Sequence, residues 1–131
     1  MGRTHGMAAE PTTFGLKLAV YVEEINRHLE RLENIRSRAF VGKLSGAVGT
    51  YAHLDPNLEG LFMRRLDLGI EPISSQIVHR DRHAEVFNSL ALIGCTLEKL
   101  TIEISHLSRT EIGEVSEPFG KKQKGSSAVS Y

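Results

Sequence analysis

The fold is decided by residues 86–107, whose sequence is VFNSLALIGCTLEKLTIEISHL. Apolar side chains recur in it at alternating spacings of four and three residues, which is the pattern of one face of an α-helix. They are Val86, Leu90, Ile93, Leu97, Leu100, Ile104 and Leu107. Between residues 87 and 97 the side chains are apolar or small on nearly every side of the helix, which is typical of a helix buried in a bundle. We expect this helix to begin with Ser74 or Ser75 as its cap, to end near Arg109 and to be about 50 Å long.

A second long helix is predicted from about Phe14 to Ala39, with Thr12 or Thr13 available as its N-terminal cap. Its apolar positions follow the same alternation of four and three residues, and they are Leu18, Val22, Ile25, Leu29 and Leu32. Charged residues fill the positions between them, which indicates a solvated face opposite an apolar one.

Between the two long helices lies an irregular region that contains one short helix. Three glycines between residues 42 and 49 predict a loop. Asp55 followed by Pro56 is typical of a helix start, with the acid as cap and the proline in the first turn. We expect this helix to run to about Leu68, where residues 69–72 end it. Together these patterns predict the all-α class, with the architecture of a long-helix bundle.

Composition excludes several classes of function. Lysine plus arginine and aspartate plus glutamate each total 16 in the 131 residues, so the formal net charge is zero. A nucleic-acid-binding module normally has a basic excess, and no apolar run approaches the roughly 20 residues that span a bilayer. The single cysteine, Cys95, excludes an internal disulfide and indicates a reducing compartment, so we expect the cytoplasm. Because Cys95 lies in the apolar middle of the long helix, we expect it to be buried.

The candidates for chemistry lie in three irregular segments. Residues 2–15 read GRTHGMAAEPTTFG, residues 74–76 read SSQ, and residues 117–128 read EPFGKKQKGSSA. Taken singly, each has a structural explanation, since these residue types also form turns, helix caps and flexible linkers.

In this order the three segments resemble the adenylosuccinate lyase family of the fumarase/aspartase superfamily. Residues 2–15 resemble the superfamily's second signature, and residues 42–51, GKLSGAVGTY, resemble the glycine-rich connection of bacterial members. Gln76 lies where the family has a substrate-binding glutamine. Residues 117–128 are similar to the run into the mobile serine loop. The resemblance therefore covers essentially the whole chain and implies a central helical domain fragment of a fumarase/aspartase-like lyase.

The chain departs from the family pattern after Ala128. The family's serine loop continues with Met-Pro and then a lysine and an asparagine, whereas this chain continues with residues 129–131, VSY. The resemblance therefore implies residues 1–113 as part of the central bundle domain and residues 114–131 as a truncated, flexible serine loop. On this interpretation we expect the isolated chain to be inactive.

The resemblance implies a carbon–nitrogen lyase of purine biosynthesis that releases fumarate from adenylosuccinate and from the succinyl-imidazole-carboxamide ribotide. It implies His5 as the general acid, since imidazole exchanges protons near neutral pH, and Ser126 as the base, with Ser127 as its rival. The implied substrate ligands are polar residues of the same segments, with Lys43 and Ser45 the weaker candidates: Arg3, Thr4, Lys43, Ser45 and Gln76. It implies no metal and no organic cofactor. In the family, four subunits share one bundle, and each site draws on three of them.

Several alternatives remain open at this point. His79 and His83 have the spacing of two metal ligands on one helix, but the sequence offers no third ligand beside them. A related superfamily lyase with another fumarate-releasing substrate would have the same helices. A catalytically inactive helical module that only assembles with other subunits would also account for the two apolar faces.

Overall fold

The computed structural model of the chain describes residues 1–120 and residue 125. Its helices are α1 (Phe14–Ala39), α2 (Pro56–Arg65) and α3 (Arg80–Leu107). Its strands are two residues long each: β1 (Arg3–Thr4), β2 (Met7–Ala8), β3 (Val41–Gly42) and β4 (Gly69–Ile70). The chain divides into two compact units, Met1–Thr96 and Leu97–Tyr131. The prediction of a mainly helical chain is confirmed.

Helix α1 has the bounds that the sequence predicts, Phe14–Ala39. Thr13 is extended and its hydroxyl accepts a hydrogen bond from the Leu16 N–H at 3.1 Å, which satisfies one of the free donors of the first turn. At the other end the Phe40 N–H still donates to the Arg36 carbonyl at 2.9 Å. The chain then enters β3.

Helix α2 begins as predicted and ends earlier than predicted. The Asp55 carboxylate accepts from the Asn57 N–H at 2.8 Å, and Pro56 occupies the first turn. The helix ends at Arg65 rather than near Leu68, because Asp67 adopts a left-handed conformation with φ 55°. The Leu68 N–H then donates to the Met63 carbonyl at 3.0 Å, which closes the helix end as a Schellman motif. The chain continues into β4, which pairs parallel with β3.

Helix α3 begins at Arg80, so the predicted start at Ser74 or Ser75 is wrong. In a helix, the carbonyls of residues 75 and 76 would accept from the N–H groups four residues later. Here both carbonyls instead accept from the Lys43 ammonium, at 2.6 and 2.9 Å. The Ser74 hydroxyl bonds the Ser45 hydroxyl at 2.9 Å and does not cap the helix. The 28 residues of α3 span about 42 Å.

Within the first unit, α1 and α3 are joined by a buried chain of polar contacts. Arg31 donates to Nδ1 of His28 at 2.9 Å, so the proton of the neutral ring lies on Nε2. Nε2 contacts the Thr96 hydroxyl at 2.8 Å, and that hydroxyl donates to a Glu24 carboxylate oxygen at 2.7 Å. His28 and Thr96 are both buried, which makes this contact part of the interior of the first unit.

The apolar faces of both long helices are largely uncovered in the described part of the chain. The buried apolar side chains among the described residues are Ile35, Met63 and Leu107. Leu29 on α1 is 60% exposed, and Leu97 on α3 is 52% exposed. Cys95 is exposed, so its predicted burial is wrong for this chain, since its face of α3 is open here. No helix among the described residues has the length and apolarity to cross a membrane.

Candidate active site

His5 lies at the tip of a hairpin that the sequence RTHG forms with the residues after it. Strands β1 and β2 pair antiparallel, with Thr4 opposite Met7, so the loop is only His5 and Gly6. Both have positive φ, 54° and 72°, which is the requirement of a type I′ turn. A left-handed conformation at a non-glycine residue costs about 1–3 kcal/mol, and such strain is typical of functional sites. The turn therefore holds His5 in a defined and exposed position.

Thr4 is the side-chain neighbour of His5. The Thr4 hydroxyl and Nδ1 of His5 are 3.0 Å apart, within hydrogen-bonding distance. The hydroxyl can donate to an unprotonated Nδ1 or accept from a protonated one. In either case the contact uses Nδ1, so Nε2 is the ring nitrogen that an incoming molecule would meet. Arg3 precedes this pair on β1 and is also exposed.

Lys43 and Ser45 are turned toward the protein. The Lys43 ammonium donates to the carbonyls of Gly46 and Ser75 at 2.6 Å each and to that of Gln76 at 2.9 Å. An ammonium has three protons, so these contacts use all of its donors. Ser45 is 3% exposed and its hydroxyl bonds that of Ser74. Both side chains therefore make contacts within the chain, and their contact with a substrate stays a prediction.

Glu59 of α2 supports the glycine-rich loop, defined here as residues 42–51. Its side chain is 2% exposed and accepts hydrogen bonds from the Leu44 N–H and, at 2.6 Å, from the Tyr51 hydroxyl. Donation to Glu59 raises the pKa of Tyr51, and burial and the negative charge of the carboxylate add to the rise. Sequence reasoning missed Glu59, because an acid in the first turn of a helix already has an ordinary explanation in the helix dipole.

The structure thus brings the candidate residues together in two groups. Thr4 and His5 form one group at the hairpin, and the glycine-rich loop with Gln76 forms the other. Helix α1, 26 residues and about 39 Å long, lies between the two groups in the chain. Ser126 and Ser127 lie outside the described residues. Among residues 1–120 and 125, no group of three histidine, cysteine or acidic side chains could hold a metal ion, and His79 and His83 gain no third ligand.

A family model described as lyase matches residues 1–129 of the chain. The chain belongs to this lyase family. It is similar over all 131 residues to the adenylosuccinate lyases of Aquifex aeolicus, at 55% identity, Bacillus subtilis, at 53%, and Staphylococcus saprophyticus, at 50%. The chain spans about 30% of the length of these relatives. The family resemblance predicted from the three irregular segments is confirmed.

The hairpin holds His5 in place, because its turn and the Thr4 contact restrict the ring. Gln76 is exposed, whereas its main chain is bound on both sides by the Lys43 ammonium. The site residues therefore combine exposed side chains with a restrained backbone.

Proposed function

We propose that the native polypeptide containing this chain cleaves adenylosuccinate to AMP and fumarate, and the succinyl-imidazole-carboxamide ribotide to its carboxamide ribotide and fumarate. The observation that carries the proposal is the restrained, exposed Thr4–His5 pair in a chain 55% identical to an adenylosuccinate lyase. The reaction belongs to purine biosynthesis, and we assign it to the cytoplasm on the basis of the single cysteine.

In this proposal His5 is the general acid. A base removes the proton next to a carboxylate of the succinyl group, the carbon–nitrogen bond breaks, and the departing nitrogen takes a proton from His5. When His5 acts as the acid, the ring is an imidazolium, so Nδ1–H donates to the Thr4 hydroxyl and the proton that leaves is the one on Nε2. The base is Ser126, with Ser127 as the rival, and this assignment rests on the family resemblance alone.

Gln76 and Arg3 are the proposed substrate ligands with exposed side chains. The carboxamide of Gln76 can both donate and accept, which suits a carboxylate next to an amine. The guanidinium of Arg3 can bind a carboxylate or a phosphate through two parallel hydrogen bonds. No metal or organic cofactor is part of the proposal, since proton transfer and hydrogen bonding supply the chemistry.

We further propose that copies of the chain associate, as a tetramer, and that each site combines His5 of one copy with Gln76 of another. Two observations support this. The apolar face of α1 is open, with Val22 54% and Leu29 60% exposed, and patches of this kind are typical of protein interfaces. In addition, helix α1, about 39 Å long, lies in the chain between the hairpin and the glycine-rich loop.

The test of the activity is fumarate release from adenylosuccinate by the native polypeptide, followed by ultraviolet absorbance. Removing a general acid typically costs a factor of about 100–10,000, so His5→Ala should lower kcat by at least about 100-fold. His53→Ala is the matched control, because His53 is also exposed but lies outside both groups of candidate residues. A kcat of His5→Ala equal to that of the wild type would refute the role of His5. Absence of fumarate from the wild type would favour the inactive assembly module.

A further inference from the structure

The glycine-rich loop is in close contact with the segment that carries Gln76. The Ser45 and Ser74 hydroxyls bond each other at 2.9 Å. Gly49 approaches so closely that a Cβ atom on it would lie 1.9 Å from the Ser74 carbonyl oxygen. Gly49 also has φ +77°, a conformation that other residues rarely adopt. The loop and residues 74–76 therefore fit together at a distance that only glycine allows at this position.

The hydrogen bonds of the Lys43 ammonium are the strongest contacts between the loop and residues 74–76, because they bring a positive charge to three carbonyl oxygens. One of them, Gly46, belongs to the glycine-rich loop, and the other two, Ser75 and Gln76, belong to the opposite segment. Hydrogen bonds from a charged donor are roughly twice as strong as neutral ones. The ammonium therefore links the two segments, and every atom that accepts from it is a main-chain oxygen.

The choice of carbonyls has a specific consequence for Gln76. The Ser75 carbonyl belongs to the peptide plane before the Cα of Gln76, and the Gln76 carbonyl belongs to the plane after it. Each peptide unit is rigid, so holding both planes fixes φ and ψ of Gln76. The direction of its Cα–Cβ bond is then fixed as well. The side chain itself remains exposed.

We propose that Lys43 is a positioning residue: it fixes the main chain on both sides of Gln76 and thereby sets the direction in which the Gln76 carboxamide meets the substrate. The proposal rests on the proposed lyase function for the substrate and on the observed contacts for the positioning. It explains why a lysine in the glycine-rich loop can serve the site without touching substrate. A displacement of about 1 Å in a positioning group can cost about 100-fold in rate.

The positioning is tested first by NMR on the 131-residue chain. In the wild type, the Lys43 ammonium protons should exchange slowly enough with water to be seen. In Lys43→Met, the backbone order parameters of residues 75–77 should fall from about 0.85 to below about 0.6. Lys17→Met, which removes an ammonium from α1, should leave them unchanged. Wild-type ammonium protons that exchange like those of an exposed lysine, or unchanged order parameters in a folded Lys43→Met, would overturn the proposal.

The consequence for the reaction is tested by a double-mutant cycle in the native polypeptide. Lys43→Met should lower kcat/KM by about 10–100-fold with an unchanged pH profile, since no proton-transfer group is removed. In the background of Gln76→Ala the same change should have an effect below about twofold, because the residue that it positions is gone. Equal effects in both backgrounds would overturn the positioning role. If the wild type releases no fumarate, the proposed function fails, and the order parameters alone decide whether Lys43 holds the segment.

Discussion

Glu59→Gln is the change that tests most sharply how the glycine-rich loop is supported. The substitution keeps the size of the buried side chain and removes its charge. The carboxylate accepts from a backbone N–H, that of Leu44, and from a hydroxyl, that of Tyr51. A carboxamide has only one acceptor oxygen, so it must turn that oxygen to Leu44 and its NH₂ group to Tyr51. The Tyr51 hydroxyl can rotate and accept, so both contacts persist in a weaker form.

The size of the effect follows from the loss of charge. A hydrogen bond to a charged group contributes about 1.5–3 kcal/mol and a neutral one about 0.5–1.5 kcal/mol. The Leu44 contact should therefore weaken by about 1–1.5 kcal/mol. Since every 1.4 kcal/mol is a factor of ten, the Leu44 amide should exchange with solvent about 5- to 12-fold faster. Removal of a buried charge offsets part of the cost to the global free energy of unfolding, so the local measurement is the more informative one.

The assay is native-state amide hydrogen exchange, measured by NMR for Leu44 in the wild type and in Glu59→Gln. Glu23→Gln is the matched control, since it removes one carboxylate from an exposed position on α1. We expect the Leu44 amide to exchange faster in Glu59→Gln and at the wild-type rate in Glu23→Gln. Unchanged exchange of Leu44, or the same acceleration in both variants, would refute the conclusion that the buried carboxylate holds the loop.

Three further predictions concern the same unit. Gly49→Ala should lower the free energy of unfolding in urea by at least about 1–2 kcal/mol, and by more than Gly46→Ala, which shares the positive φ but has open space for a Cβ. Glu59 raises the pKa of Tyr51, so the stability that their contact contributes should be fully present below the ordinary phenol pKa of about 10. That stability should be lost as the pH rises through the pKa of Tyr51 in the folded chain, and the free energy of unfolding measured against pH would show the loss. Thr96→Val should destabilise the junction of α1 and α3 by about 1–3 kcal/mol in thermal unfolding.

The helices were predictable where their signals are local. Helix α1 begins at a threonine cap and ends before a glycine-rich stretch, and both signals lie within a few residues of the helix ends. The end of α2 was not predictable to the residue, because the left-handed position is Asp67 and not a glycine. The start of α3 depends on Lys43, which lies 32 residues before Ser75, and no local pattern contains that information.

The sequence predicted one part of the candidate site and not the other. His5 and Gln76 were identified from motif order, and their exposure agrees with contact to a substrate. Lys43 and Ser45 were identified from residues 42–51, but their side chains bond the chain itself, which only three-dimensional contacts show. The apolar pattern correctly predicted helical faces. It could not predict that these faces are open in this chain, because periodicity reports that a face is apolar and not which segment covers it.

The proposed sharing of one lyase site by His5 of one copy and Gln76 of another has a decisive test. It is tested most directly by mixing chains that carry His5→Ala with chains that carry Gln76→Ala, in the native polypeptide, and measuring fumarate release. Each variant alone should retain about 1% of wild-type activity or less. In an equal mixture, half of the hairpins and half of the glutamine segments are intact, so about a quarter of the sites should be complete. Activity of the mixture near that level would support the claim, and activity no higher than the average of the two variants would contradict it.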